Sequence, residues 1–195
     1  MTKHQLILDV AGVLVTNISP RYWEEIAELG NATNKDLKTM FKLHIRDRYW
    51  SGVLPEEAFW DWLRKECPNV EVTVAKTMLS KHLQTMPAFE RIPEWSHLAD
   101  VHLISNHREE WLTPILKPLA PYLHSVTVSS NVGYCKPQAE IYELVQLKLD
   151  RNRPVTYVDD QQKNLKPAQD LRWNTVLADR EGQWIERVEF ILGNR

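Results

Sequence analysis

The sequence predicts a doubly wound α/β fold, with a parallel five-stranded sheet and a small helical bundle inserted after the first strand. Three observations support this prediction. Five short apolar runs have the composition of strands that are buried on both faces. Segments with helical spacing separate the later runs. The long segment between the first and second runs has several helical patterns and no convincing strand.

The five apolar runs are brief, rich in Val, Ile or Leu, and end near polar or small residues. Strands of a parallel sheet have this composition because helices cover both of their faces. The predicted strands are Gln5–Leu8, Val101–Ile104, Ser125–Val128, Val155–Val158 and Thr175–Ala178. Since helical segments lie between the later runs, we expect neighbouring strands to run parallel.

The clearest helical segment of the core is Pro137–Leu149. Its apolar residues Ile141, Leu144, Val145 and Leu149 recur at a spacing that places them on one face. The proline at its start suits the first turn, where its missing N–H removes no helical hydrogen bond. The pattern therefore predicts a helix that covers the sheet before the fourth strand.

Residues 15–86 interrupt the alternation of strands and helices. The predicted helices there are Tyr22–Leu29, Leu37–Tyr49, Pro55–Leu63 and Val72–Leu83. Trp50, Trp60 and Trp62 are close together, and we expect them to pack inside this bundle. The chain is thus predicted to divide into a core domain, residues 1–14 and 87–195, and an inserted helical domain, residues 15–86.

Composition and charge argue against several classes of partner. The 195-residue chain has a net charge of −2 and scattered basic residues, so we expect no nucleic acid partner. The apolar run before Asp9 is too short for a signal peptide or a membrane span. Two distant cysteines, Cys67 and Cys135, favour a reduced cytoplasmic protein. The sequence favours neither a monomer nor a homodimer.

Polar residues follow four of the predicted strands. They are Asp9, Ser105–Asn106, Lys136 and Asp159–Asp160. Ligands of open α/β sheets bind outside the carboxyl ends of the strands, so we expect these side chains to meet at one edge. Carboxylates suit a hard cation, whereas a lysine and a hydroxyl suit a phosphate-like anion. The sequence therefore predicts a joint cation and anion site.

The segments around these residues resemble the four motifs of the haloacid dehalogenase (HAD) superfamily. They are Leu6–Val13, Ile104–Asn106, Val132–Tyr142 and Tyr157–Asn164. The helical insertion lies where this family carries its cap domain, so the resemblance covers essentially the whole chain. Residues 48–59 are similar to the cap of short HAD phosphatases of the glucose-1-phosphate phosphatase type.

The resemblance implies a Mg²⁺-dependent hydrolase with a Rossmann-like core, which acts on a small phosphorylated metabolite through an aspartyl-phosphate intermediate. Asp9 would be the nucleophile. The Mg²⁺ ligands would be Asp9, the backbone carbonyl of Ala11 and Asp160, with Asp159 as a further ligand or as a support behind them.

The resemblance also assigns the anion-binding groups. Ser105, Asn106 and Lys136 would bind the phosphate, and Lys136 would offset negative charge during the reaction. Asn164 would support Lys136 or a metal-bound water. In the insertion, Arg46, Arg48 and Trp50 are candidates for substrate contacts, since Arg46 and Trp50 lie four residues apart on a predicted helix.

Ala11 departs from the family pattern. Typical phosphatases of the family have a second aspartate there, which protonates the leaving oxygen and later activates water. A positioned general acid contributes about 10²–10⁴-fold in rate, so we expect slow turnover or a restriction to good leaving groups. His107 is a candidate substitute acid, because a histidine pKa can lie near neutrality.

Two other functions stay open at this point. A binding or regulatory protein could keep the HAD site but lose efficient turnover, and Ala11 motivates that alternative. Cleavage of a C–P or C–halogen bond is the other. Phosphonoacetaldehyde hydrolase has alanine at the matching position but needs a cap lysine, and Lys35, Lys38 and Lys42 have the pattern of solvated helix residues. The 2-haloacid dehalogenases need no metal and lack the acidic pair Asp159–Asp160.

Overall fold

Five parallel strands form one sheet in this computed structural model, which describes residues 3–18, 20–32 and 36–193. The strands are β1 His4–Asp9, β2 Ala99–Ser105, β3 Leu123–Val128, β4 Val155–Asp159 and β5 Asn174–Leu177. Their spatial order is β3-β2-β1-β4-β5, so β1 is central. Each predicted strand overlaps an observed one, and the predicted fold class is confirmed.

Both faces of the central strand are buried. Leu6 and Leu8 belong to one apolar cluster, whereas Ile7 belongs to a second cluster on the opposite face. Alternate residues of a strand point to opposite faces, so a strand covered on both sides needs apolar residues at consecutive positions. This is why the strands appear in the sequence as continuous apolar runs.

Helices occupy the connections between the strands. Between β1 and β2, the described residues form α1 Pro20–Leu29, α2 Leu37–His44, α3 Arg46–Trp50, α4 Glu56–Glu66 and α5 Val72–His82. The later helices are α6 Ile92–Leu98, α7 Glu109–Leu116, α8 Ser129–Val132, α9 Ala139–Gln146, α10 Gln162–Asp170 and α11 Gln183–Gly193. Short 3-10 helices cover Pro87–Arg91 and Lys117–Tyr122. No helix of the described residues is long and apolar enough to cross a membrane.

The predicted continuous helix Leu37–Tyr49 is wrong, because the chain breaks at Ile45. The φ and ψ angles of Ile45 are −134° and −22°, outside the helical region. The break lets Phe41 and Tyr49 pack edge to face, with ring centroids 6.2 Å apart. In an unbroken helix these two residues would be about 12 Å apart along the axis. Packing of the two rings therefore favours two short helices over one long helix.

Aromatic side chains form the interior of the helical insertion. Trp23, Phe41, Phe59 and Trp62 lie within 6.3 Å of one another in several ring pairs. Trp60 and Trp62 are buried, as the sequence predicts, whereas Trp50 is half-buried. Such ring pairs add stability beyond the burial of their area.

The two connections between the insertion and the sheet run side by side. The N–H of Thr16 donates to the carbonyl of Gln84 at 2.8 Å, and the N–H of Met86 donates to the carbonyl of Leu14 at 2.8 Å. Val15 and Thr85 form an antiparallel bridge between these bonds. The chain therefore enters and leaves the insertion at one place.

A second contact fixes residues 49–54, which we call the anchored turn, to the sheet side of the molecule. Buried Arg108 donates to the carbonyls of Tyr49 and Leu54 at 3.2 and 2.8 Å. The hydroxyl of Ser129 donates to the carbonyl of Trp50 at 2.6 Å. A Cβ at Gly52 would lie 2.0 Å from the carbonyl oxygen of Ser130, so the close approach needs glycine.

Candidate active site

The carboxyl ends of β1, β2 and β4 bring the predicted residues together. Asp9 is the last residue of β1, Ser105 ends β2 and Asp159 ends β4. In the register of the sheet, Asp9 pairs with Ile104 and Leu8 pairs with Val158, so the three polar residues end at the same edge. The order of strands reverses between β1 and β4, since β2 and β3 are added on one side of β1 and β4 and β5 on the other, and clefts of such sheets form at this type of position.

Lys136 lies between two aspartates. Its Nζ is 2.8 Å from Oδ1 of Asp9 and 2.7 Å from Oδ2 of Asp159, and all three side chains are almost fully buried. Burial lowers the pKa of Lys136, but the two carboxylates outweigh this effect, so its pKa is raised above the usual value. Burial raises the pKa of Asp9, and the Lys136 ammonium opposes that shift. The lysine therefore stays charged and holds both carboxylates in place.

Asp159 has all its oxygen positions bonded to protein donors. Its Oδ1 accepts from the Gln161 N–H and from Asn164 at 2.8 and 2.9 Å, and its Oδ2 accepts from Lys136 and from the hydroxyl of Tyr157. Burial raises the pKa of Asp159, but Lys136 and these hydrogen bonds hold it below the usual value. Asn164 thus reaches Lys136 through Asp159 rather than by a direct bond.

The environment of Asp160 differs from that of Asp159. Its Oδ1 is buried and has no hydrogen-bond partner within the part of the chain that the structure describes. Burial and the neighbouring Asp159 raise its pKa. Ligand atoms of Asp9, Asp159 and Asp160 all lie within 4.8 Å of one another. Three carboxylates this close repel unless a cation or protons offset their charge, so this cluster can hold a metal ion.

The loop after β1 brings the backbone close to this cluster. Gly12 has a φ of +92°, and a Cβ there would lie 2.3 Å from Oδ2 of Asp160. Glycine is thus required for the close approach of the loop to the carboxylate. Among hydrogen bonds between described residues, none uses the carbonyl oxygen of Ala11, which is next to this turn. Its role as a cation ligand stays a prediction.

The two residues at the end of β2 have different surroundings. The hydroxyl of Ser105 is buried and has no hydrogen-bond partner in the described residues. The side chain of Asn106 donates to the Lys136 carbonyl at 2.8 Å and accepts from the Lys136 N–H at 2.7 Å. The polar atoms of the Asn106 side chain thus position the backbone of Lys136, and the phosphate contact expected of Asn106 stays a prediction.

His107 is a poor substitute acid in this structure. It is buried beside Trp50, with ring centroids 5.1 Å apart. Burial lowers its pKa to about 4, so the ring is neutral near pH 7 and has no readily lost proton. The methyl side chain of Ala11 also supplies no proton. Neither position provides an acid to the site.

A cavity of about 1140 Å³ opens above Ala11 and Lys136. Arg46, Arg48 and Trp50, the insertion residues singled out from the sequence, all line it. Lys38 and Lys42 also line it, from a half-buried and an exposed position, and Lys35 lies outside the described residues. Further basic residues on the core side, Lys163 and Arg180, have no signal in the sequence that marks them as cavity residues.

Sequence reasoning also missed Tyr157, whose hydroxyl donates to Asp159. Tyr157 and Asp159 are two residues apart on β4, so their side chains point to the same face. A buried strand tyrosine two positions before a strand-end aspartate is the signal that could have predicted this bond.

Comparisons with protein-family models and with curated protein sequences find no match. Solved structures do match. The HAD family enzyme BT-2542 from Bacteroides thetaiotaomicron superposes with a TM-score of 0.81 at 20% identity, covering 96% of this chain and 99% of that one. The chain has the HAD fold.

Two further structures share this HAD fold. BT-2542 in complex with magnesium and inorganic phosphate has a TM-score of 0.77 at 20% identity, covering 91% of this chain and 95% of that one. A predicted HAD-like family hydrolase from Porphyromonas gingivalis has a TM-score of 0.79 at 18% identity, covering the whole of both chains. The match over full length includes the helical insertion, so the insertion belongs to the shared architecture.

Proposed function

We propose that this chain is a Mg²⁺-dependent HAD hydrolase that removes a phosphoryl group from a small molecule through an aspartyl-phosphate intermediate. One observation carries the proposal. The buried Lys136 ammonium contacts Asp9 and Asp159, while Asp160 beside them keeps a buried oxygen that accepts no hydrogen bond from the described residues. This arrangement places a nucleophilic carboxylate, a fixed positive charge and a free metal ligand at one sheet edge.

The oxygen atoms at this edge fit Mg²⁺. Asp9, Asp160 and the carbonyl of Ala11 would bind the ion, and Asp159 would stay behind them because its oxygens already accept hydrogen bonds. Mg²⁺ binds oxygen ligands and neutralises charge between a carboxylate and a phosphate. The structure of BT-2542 with magnesium and phosphate supports this choice of ion.

The protein groups have distinct roles in the proposed reaction. A carboxylate oxygen of Asp9 attacks phosphorus, the bond to the leaving oxygen breaks, and its electron pair stays on that oxygen. The hydroxyl of Ser105 and the ammonium of Lys136 stabilise the phosphoryl oxygens. Water then attacks phosphorus, the bond to Asp9 breaks, and the protons of water stay on the released phosphate or pass to solvent. Ala11 supplies no proton, so turnover is restricted to good leaving groups.

We also propose that the insertion, residues 15–86, is a cap domain on a core of residues 1–14 and 87–195. The paired connections at Val15 and Thr85 support these limits, since both crossings are adjacent. Arg46, Arg48 and Trp50 would contact the part of the substrate beyond the phosphate. The similarity to glucose-1-phosphate phosphatases and the cytoplasmic location stay predictions from the sequence.

The decisive test is turnover of p-nitrophenyl phosphate, whose leaving group needs no protonation. We expect Mg²⁺-dependent release of nitrophenolate that is abolished in Asp9→Asn and lost on chelation of the metal. Asp170→Asn is the matched control, because Asp170 is exposed and pairs with Lys166 away from the site. Activity that persists in Asp9→Asn would show that Asp9 is not the nucleophile.

Ala11 motivates a second candidate function, a HAD-fold binding or regulatory protein that has lost efficient turnover. The variant Ala11→Asp distinguishes this function from that of an active hydrolase. If the wild type is inactive and Ala11→Asp gains phosphatase activity, the chain is a HAD protein that has lost turnover. If the wild type already hydrolyses the activated ester, the hydrolase proposal stands.

A further inference from the structure

We infer that the substrate is a phosphoanhydride, a small molecule in which the leaving group is itself a phosphate. The inference rests on the proposed function, since it names the substrate class of the same site. It joins two features that are separate in the sequence: an alanine at position 11, where typical members of the family have a general acid, and a strongly basic cavity above Asp9.

The first step concerns the leaving group. An alcohol leaves as an alkoxide unless an acid protonates it, and Ala11 and buried His107 do not supply that proton. Asp47 lines the cavity but is exposed and forms an ion pair with Arg46 at 2.8 Å. A phosphate needs this proton far less than an alcohol does, because the second pKa of a phosphate monoester is only about 6 and its anion is stable near pH 7.

The second step concerns charge. Besides Lys136, the described residues that line the cavity above the site include six lysines or arginines and one acidic residue, Asp47. These six basic residues are Lys38, Lys42, Arg46, Arg48, Lys163 and Arg180. Ion pairs between described residues involve only Arg46 of this set, so five cations have no carboxylate partner there. A single phosphoryl group bound at Lys136 does not need this much additional positive charge.

The positions of the cations match a second phosphate. Lys38 and Lys42 are four residues apart on α2, so their side chains lie on the same face of that helix. Lys163 and Arg180 approach the cavity from the sheet side. The cavity, at about 1140 Å³, exceeds the space that one phosphate needs. A leaving phosphate in this cavity would therefore contact cations from both sides.

The step is balanced without an added reactant. An oxygen of Asp9 forms a bond to the terminal phosphorus, the bridging P–O bond breaks, and the electron pair stays on the leaving phosphate. The lysines and arginines that line the cavity stabilise the charge that develops on that oxygen. Water then releases the terminal phosphate from Asp9, and its protons stay on the product or pass to solvent.

The test compares three substrates in excess Mg²⁺: inorganic diphosphate, p-nitrophenyl phosphate and fructose 6-phosphate. We expect kcat/KM to be highest for diphosphate and lowest for the sugar ester. In Lys38→Gln/Lys42→Gln the ratio of diphosphate to nitrophenyl activity should fall about tenfold, as expected for two lost charge contacts. Lys65→Gln should keep the wild-type ratio, because Lys65 is exposed on α4 and does not line the cavity.

A binding measurement tests the preference for a phosphoanhydride without relying on catalysis. Imidodiphosphate, which resists hydrolysis, should bind the Mg²⁺-loaded wild type at least tenfold more tightly than inorganic phosphate in calorimetric titrations. The double lysine variant should lose most of that difference. Equal affinities, or a nitrophenyl activity that exceeds diphosphate activity, would overturn the inference and leave the proposed hydrolase intact. Loss of nitrophenyl turnover with preserved imidodiphosphate selectivity would instead refute the hydrolase and retain the binding preference.

Discussion

Replacement of Lys136 by methionine measures how strongly one buried ammonium stabilises the fold. The side chain of Lys136 is 1% exposed, and those of its partners Asp9 and Asp159 are 4% and 0% exposed. Methionine fills a similar volume but leaves both carboxylates without this positive charge. Removal of one partner from a buried ion pair destabilises a protein by about 3–5 kcal/mol. Because a single substitution breaks two pairs, we expect a loss near the upper end of that range.

The assay is urea unfolding of wild type and Lys136→Met at several pH values. Without the ammonium, the folded-state pKa values of Asp9 and Asp159 rise, so the folded variant binds protons that the unfolded chain does not. The free energy of unfolding of Lys136→Met should therefore fall as pH rises, and its difference from the wild type should be larger at pH 8 than at pH 5. Lys65→Met, an exposed substitution, should change the free energy of unfolding by less than about 0.5 kcal/mol.

Added Mg²⁺ gives a second readout of the same variant. A cation at Asp9 and Asp160 would replace part of the missing charge, so millimolar Mg²⁺ should stabilise Lys136→Met through binding to the folded state. A loss below about 1 kcal/mol, or a deficit that is the same at pH 5 and pH 8, would refute the reasoning, since it would mean that the carboxylates are not charged and buried together.

Three further predictions follow from individual contacts. Gly12→Ala should weaken Mg²⁺ binding about tenfold or more in calorimetric titrations, because the added Cβ displaces Asp160. Gly133→Ala is the control, since Gly133 also has a positive φ, +84°, but a Cβ there would meet open space. Arg108→Met should lower the free energy of unfolding by about 2–4 kcal/mol and speed hydrogen exchange in the anchored turn, because two carbonyls lose their donor; unchanged exchange would contradict this role. His107→Gln should reduce the loss of stability between pH 7 and pH 4.5 by about 2–3 kcal/mol. The pKa of His107 is about 4 in the folded protein and 6.5 ordinarily, so the unfolded chain binds the proton first as the pH falls. Parallel pH curves for variant and wild type would argue against this effect.

The sheet and the position of its polar edge could be predicted from the sequence for a simple reason. A strand buried on both faces needs a continuous apolar run, and a parallel sheet aligns the ends of its strands. These two rules are enough to place Asp9, Ser105 and Asp159 at one edge. No knowledge of the helices is needed for that step.

The detailed contacts could not be predicted, because they depend on orientation between elements. The break at Ile45 follows from ring packing between Phe41 and Tyr49, which local helix propensity does not encode. The local sequence pattern also does not encode which face of α2 lines the cavity, so Lys38 and Lys42 appear in the sequence as ordinary solvated residues. Asn106 likewise has a side chain that can bind an anion, yet its amide is hydrogen-bonded to the backbone of Lys136.

The central position of β1 has a consequence for how the protein folds. Asp9 is made early in the chain, but the residues that neutralise and complete its surroundings come from Lys136 and from Asp159–Asp160, more than a hundred positions later. Contacts of such long sequence separation form only once β4 has docked beside β1. Acquisition of metal affinity during refolding would consequently report that β4 has been added beside β1, and a chain ending before residue 155 would lack this affinity.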